Sequence, residues 1–144
     1  KQKTAYEIMP SLVGSEMCIR DRLRGEVEAL HLISEFSPKA IVIIVLNPLR
    51  HTPMESLTPP SPEAVGRVTL IARLGFPSVP LLLGCARPLG SHKVHTDRYA
   101  IRAGVNGIAY VSEEGVQSAI SMGLKPVFKD VCCSLAFKHV PIGD

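Results

Sequence analysis

The sequence predicts an α/β fold built from parallel β/α units, either an open parallel sheet or a piece of a β/α barrel. Three observations predict it. The runs Ala40–Leu46, Val79–Leu83 and Ile108–Val111 are short and continuously apolar, as strands buried on both faces are. Segments with helical spacing of apolar residues separate them, and repeated right-handed β/α units produce a parallel sheet. Finally, Cys85, Arg87, His92, Lys93 and His95 gather just behind Val79–Leu83. That is the C-terminal edge of a strand, where α/β sheets and barrels place their sites.

Composition narrows the classes of function. A chain of 144 residues, 46% hydrophobic and 20% charged, has the composition of one soluble globular domain. Its 16 basic residues against 13 acidic ones give +3, and the basic residues are spread along the chain. Together with 5% aromatic residues, this argues against a nucleic-acid partner, which needs a basic patch and stacking platforms. The longest apolar run, Ala40–Leu46, is far shorter than the ~20 residues that span a bilayer. No signal-peptide pattern occurs, so no membrane partner is expected. Four cysteines are too few for a disulfide scaffold, which favours reduced thiols and a cytoplasmic protein.

Taken in order, the chain divides into residues 1–22, residues 23–137 and a tail at 138–144. Lys1–Asp21, KQKTAYEIMPSLVGSEMCIRD, does not begin with Met and shows no sustained period. It resembles a translated sequencing-adapter read, so 1–22 is set aside as non-native, with a natural helix from Thr4 as the alternative. On that reading Cys18 is uninformative, the gene begins upstream, and the chain is the tail of a longer protein.

Leu23–Phe36 reads as a helix with Leu23, Val27, Leu30 and Ile33 on one stripe, ended by Pro38. Ala40–Leu46 is rich in β-branched residues and reads as a central parallel strand. Asn47–Pro60 is a long polar, proline-rich loop, a class of loop that is usually functional or disordered. Ser61 caps the next helix, with Pro62 at its first position and Val65, Val68, Ile71, Ala72 and Leu74 as the buried face; Gly75 closes it. Behind the strand Val79–Leu83, Thr96 is expected to cap a helix through Ala100 and Ile101 that Gly104 stops. Ser112 then caps a helix containing Val116, Ala119 and Ile120, which Gly123 ends. Pro126–Val131 reads as a last short strand leading into Cys132 and Cys133, and the tail as frayed.

The candidate chemistry lies at the strand ends. Cys85, Cys132 and Cys133 each follow a strand, and soft thiolates at one rim suit an iron–sulfur cluster or zinc. No C-x-x-C occurs, and adjacent cysteines in a regular strand face opposite ways, so small buried hydrophobes remain the alternative. Arg87 sits in a loop tightened by Pro88 and Gly90, where it could hold a carboxylate or phosphate bidentately or form a surface ion pair. His92 and His95 straddle Lys93 at a spacing that is weak evidence for metal. Asp97 falls in the expected first helical turn, where a carboxylate favours the helix dipole. No Ser-His-Asp set, P-loop or G-x-G-x-x-G is present, which leaves hydrolase and nucleotide-fold readings without support and names no catalytic residue.

Several segments resemble one family. Ile43–Met54, IIVLNPLRHTPM, is similar to a strand followed by a G-T-P-hydrophobic loop, with His51 in place of the glycine. Pro62–Phe76 is similar to the helix that follows, and GCARP, AIRAGVNGIAYVSEE and VCC to the last barrel strands and terminal cysteines. Over about Leu23 to Leu135 the chain resembles the C-terminal part of radical S-adenosylmethionine enzymes of the biotin synthase and lipoyl synthase type. More narrowly it resembles their uncharacterised biotin synthase-like homologues, some of which act in a two-protein lipoyl synthase.

The resemblance implies a fold class in which the chain is the C-terminal part of a partial TIM-type barrel. It implies S-adenosylmethionine and a [4Fe–4S] cluster as cofactors of a parent enzyme, with sulfur insertion at an unactivated C–H as its reaction, a transferase-type activity. The C-x-x-x-C-x-x-C loop that holds that cluster does not occur here, so this portion is expected to be inactive alone. By analogy Arg87, Asn47 and Thr52 are the cofactor-binding candidates, and Cys85, Cys132 and Cys133 the metal candidates for an auxiliary iron–sulfur cluster. Expected partners are a small-molecule or lipoyl-carrier substrate and a partner radical S-adenosylmethionine subunit. The competing reading is a non-redox α/β module that binds an anionic small molecule through Arg87, Lys93 and the Leu49–Met54 loop.

Overall fold

Leu81, Leu82 and Leu83 form the central strand of a three-stranded parallel sheet in the computed structural model, which describes residues 23–131. The segment 1–22, Cys132, Cys133 and the tail 138–144 lie outside the described residues. In chain order the elements are α1 (Arg24–Ser34), β1 (Ile41–Ile43), α2 (Pro62–Gly75), β2 (Leu81–Leu83), α3 (Ser91–Arg102), β3 (Gly107–Ile108) and α4 (Glu113–Ser121). The architecture is therefore mixed α/β with parallel strands, as expected from the apolar runs.

The strands lie side by side in chain order, β1-β2-β3. Ile41 pairs with Leu81 and Ile43 with Leu83, and Leu83 pairs in turn with Ile108. The helices also pack in chain order: α1 on α2, α2 on α3 and α3 on α4. Alternation along the strands assigns the faces. Ile41, Leu81 and Ala72 form one buried cluster, with Leu30 and Ile33 of α1 packed against it. Val45, Leu83, Val65 and Ala100 form the other. Both clusters lie on the helix-covered face. Val42, Ile44, Leu82 and Gly107 belong to the far face, so that face is apolar too.

The strands are shorter than the apolar runs. Ladder-type hydrogen bonds continue past their ends, from Val45 N to Ala86 O and from Ala109 N to Leu83 O. β3 stops because Tyr110 adopts a left-handed backbone (φ 51) that ends the pleat. Pro126–Val131, expected as a last strand, forms none among the described residues, and every one of its side chains is exposed. With only Gly107 and Ile108 in β3, there is almost no edge for it to pair with.

Helix ends follow local chemistry. Ser61 caps α2 by accepting from Ala64 N at 3.2 Å, and Ser112 caps α4 by accepting from Gly115 N at 3.2 Å, both as expected. α3 differs from expectation. It starts at Ser91 with Gly90 as N-cap, so Thr96 lies inside the helix and is fully buried. The buried face of α2 also differs: Val65, Gly66, Thr69 and Ala72 are buried, while Leu74 is exposed. Thr69 can lie inside because its hydroxyl donates to Val65 O at 2.7 Å, which satisfies the polar group within its own helix.

Candidate functional site

The parallel sheet brings the loops after β1, β2 and β3 to one edge, and a single side chain ties two of them together. Arg87 follows β2 in the tight segment between Gly84 and Gly90. Its guanidinium turns back on the sheet: Nη1 donates to Gly84 O at 2.6 Å, and Nη2 donates to Ala109 O at 2.7 Å and Tyr110 O at 3.2 Å. Nη2 also lies 3.0 Å from Asp97 Oδ1, with the two side chains 1% and 0% exposed. Asp97 Oδ2 accepts from Ser112 N at 2.7 Å.

Arg87 is thus not a surface ion pair, nor does it offer an open fork to a ligand. Its two terminal nitrogens are committed to carbonyls and to a buried carboxylate. Asp97, expected in a first helical turn, instead lies well inside α3 because that helix begins at Ser91. Its partner is Arg87 rather than the helix dipole. The sequence carried a signal for this pair: Asp97 lies on the same helical face as Ala100 and Ile101, which are buried. A carboxylate on a buried stripe requires a cationic or N–H partner.

The N-terminal end of α3 is held by His92. Its Nε2 lies 2.9 Å from Pro60 O, and its Nδ1 lies 3.1 Å from Thr96 Oγ1. A carbonyl only accepts, so Nε2 donates to Pro60, and Nδ1 shares the second bond with the Thr96 hydroxyl. His92 therefore ties the end of the β1–α2 loop to α3.

The remaining candidates are placed as follows. Asn47 is exposed, just beyond β1. Thr52 is half-buried, and its hydroxyl donates to Leu49 O at 2.7 Å, closing a turn in which His51 N donates to Glu55 Oε2 at 2.7 Å. Cys85 is a free, exposed thiol. Cys132 and Cys133 lie outside the described residues.

These placements bear on the groups the family resemblance implies. Among the described residues no three His, Cys, Asp or Glu side chains converge on a metal position. A guanidinium that donates through both terminal nitrogens, and is paired with a buried carboxylate, has no lone pair to give a metal. The described residues therefore do not fit an auxiliary cluster with Arg87 as a ligand, and Cys85 is the single candidate thiol among them.

Comparison with known proteins adds no neighbour. No family model, no curated protein and no solved structure matches the chain. No helix among the described residues is long and apolar enough to cross a membrane.

Proposed function

We propose that residues 23–135 form the last part of the β/α barrel of a radical S-adenosylmethionine enzyme of the biotin synthase and lipoyl synthase type. The parent enzyme inserts sulfur at an unactivated C–H. The family rests on the resemblance of the segments named below, and the observation that supports its β/α architecture is the order of the strands. They run β1-β2-β3 in sequence, and each helix packs on the next. Right-handed crossovers between strands in sequential order put all the helices on one face, as in a barrel. One half of a doubly wound sheet has the same sequential order over three strands, so what favours a barrel is the resemblance of the segments below.

Two further observations support the reading. The far face carries Val42, Ile44 and Leu82, which suits the side-chain-filled interior of a barrel. The segments IIVLNPLRHTPM, GCARP and AIRAGVNGIAYVSEE fall on β1 and its loop, the loop after β2, and the α3–β3–α4 run. In this reading the thiolates of the [4Fe–4S] cluster come from elsewhere in the parent, because this sequence holds no C-x-x-x-C-x-x-C, and the portion seen here is inactive alone. The substrate is a small molecule or a lipoyl carrier, a partner subunit of the same class takes part, and the protein works in the cytoplasm.

Arg87, a candidate of both the anion-binding and the cofactor-binding readings, is occupied internally, which leaves Asn47 and Thr52 to the cofactor and Lys93 and the Leu49–Met54 loop to an anion. The experiment that tests the proposal is to read the gene upstream of Leu23. A C-x-x-x-C-x-x-C loop after a predicted strand is expected. Anaerobic reconstitution of that longer protein should then give bound iron and reductive cleavage of S-adenosylmethionine to 5′-deoxyadenosine. An upstream sequence without the cysteine loop overturns the proposal.

A further inference from the structure

Tyr110 shares two properties with Ser37 and His51, and differs from them in lying between two buried charged groups. Its backbone is left-handed (φ 51) although it is not glycine, and its side chain is 80% exposed. The left-handed region carries a steric cost for any residue with a Cβ, and an exposed ring recovers none of that cost by packing. Something else holds the turn in place.

The backbone on both sides of Tyr110 is held by one ion pair from two other elements. On one side, Arg87 Nη2 binds the carbonyls of Ala109 and Tyr110 together. On the other, Asp97 Oδ2 accepts the N–H of Ser112. Arg87 and Asp97 bind each other, so withdrawing either side chain from the turn separates a buried ion pair.

We propose that the Arg87–Asp97 pair is a conformational fastener: it locks the loops after β2 and β3 into one unit and holds Tyr110 left-handed, presenting its ring at the C-terminal rim. Arg87 is then a positioning residue and not a cluster ligand. This inference does not depend on the enzymatic reading, because it concerns the chain without any ligand.

The test compares Tyr110→Gly with Tyr110→Ala in urea unfolding of the chain. Glycine is favoured over alanine only where the backbone is left-handed. With Arg87 present, Tyr110→Gly should have the higher urea midpoint. In an Arg87→Lys background the fastening is lost, the turn relaxes, and the order should reverse. A glycine advantage of the same size in both backgrounds overturns the proposal, as does none in the first.

Should Arg87→Lys fail to fold, native-state hydrogen exchange on the unaltered chain decides. The N–H of Ala109, bonded to Leu83, and that of Ser112, bonded to Asp97, should exchange with a common opening free energy. Separate openings overturn the proposal.

Discussion

Gly66 of α2 lies so close to Tyr99 of α3 that a Cβ on the glycine would stand 2.7 Å from the Tyr99 Cβ. Gly115 of α4 repeats the relationship against the next layer, where a Cβ would meet Val111 Cγ2 at 2.9 Å and Asp97 Cβ at 3.1 Å. The row of helices is therefore set by two glycines, one at each junction with α3. The second junction also brings α4 close enough for Ser112 to reach Asp97.

Gly66→Ala should destabilise the chain by about 1–3 kcal/mol, the usual cost of overpacking. At an unobstructed helical position the same change stabilises by about 1 kcal/mol. The opposing atom is a Cβ fixed to the α3 backbone, so α3 must shift rather than a rotamer turn. Thermal unfolding of Gly66→Ala beside Gly75→Ala, where nothing lies within 4 Å, checks the sign. A stabilised Gly66→Ala would show that α2 and α3 are further apart.

Asp97→Ala should cost about 3–5 kcal/mol, because it strands the buried Arg87 charge and frees Ser112 N–H. Ser112→Ala should cost about 1 kcal/mol, the ordinary value of a cap, since its amide still reaches Asp97. Denaturant titration ranks the two. Equal losses would mean that the cap, and not the ion pair, holds the loop.

Much of the fold was legible in the residues, and the reasons for the misses are local. The runs around Ile41, Leu82 and Ile108 marked the strands because both faces of the sheet are apolar, and Ser61 and Ser112 announced their helices by their own chemistry. The start of α3 was hidden because Gly90 caps it without a side-chain bond, which gave Thr96 the look of a cap. With the start at Ser91, Asp97 lies in the interior rather than in a first turn facing the helix dipole. The stripe shared by Asp97, Ala100 and Ile101 calls for a buried partner, but that the partner is Arg87 depends on tertiary approach across α3 and β3, which no local spacing encodes. Leu74, expected on the buried face, is exposed because Thr69 satisfies its own hydroxyl and takes an interior position.

Cys85 should behave as an ordinary surface thiol in the isolated chain. It is free and exposed, so Cys85→Ser should change stability by less than about 0.5 kcal/mol. Mass spectrometry after brief treatment of the folded chain with a thiol reagent should show Cys85 modified. Protection of Cys85 under native conditions would mean that it is covered, and would revive it as one member of a metal site.

The opposite end of the sheet supplies the last prediction. Arg73 Nε donates to Gly104 O at 2.9 Å, and Nη1 donates to Phe76 O, Pro77 O and Val79 O at 3.1–3.2 Å. Its Nη2 donates to Asn106 Oδ1, which also accepts from Leu81 N at 2.9 Å. Asn106 N in turn donates to Leu81 O at 2.7 Å. Arg73 thus ties the turn after α2 and the turn after α3 to the first residue of β2, through oxygen acceptors that are all neutral. Asn106→Ala should cost about 1–3 kcal/mol, because Leu81 N–H loses its acceptor where water is scarce, and Arg73→Ala a similar amount. The two share a hydrogen bond, so the double variant should lose less than the sum, with a coupling of about 0.5–3 kcal/mol in a double-mutant cycle. Strict additivity would mean that Arg73 and Asn106 brace the sheet independently and that no single network closes this end.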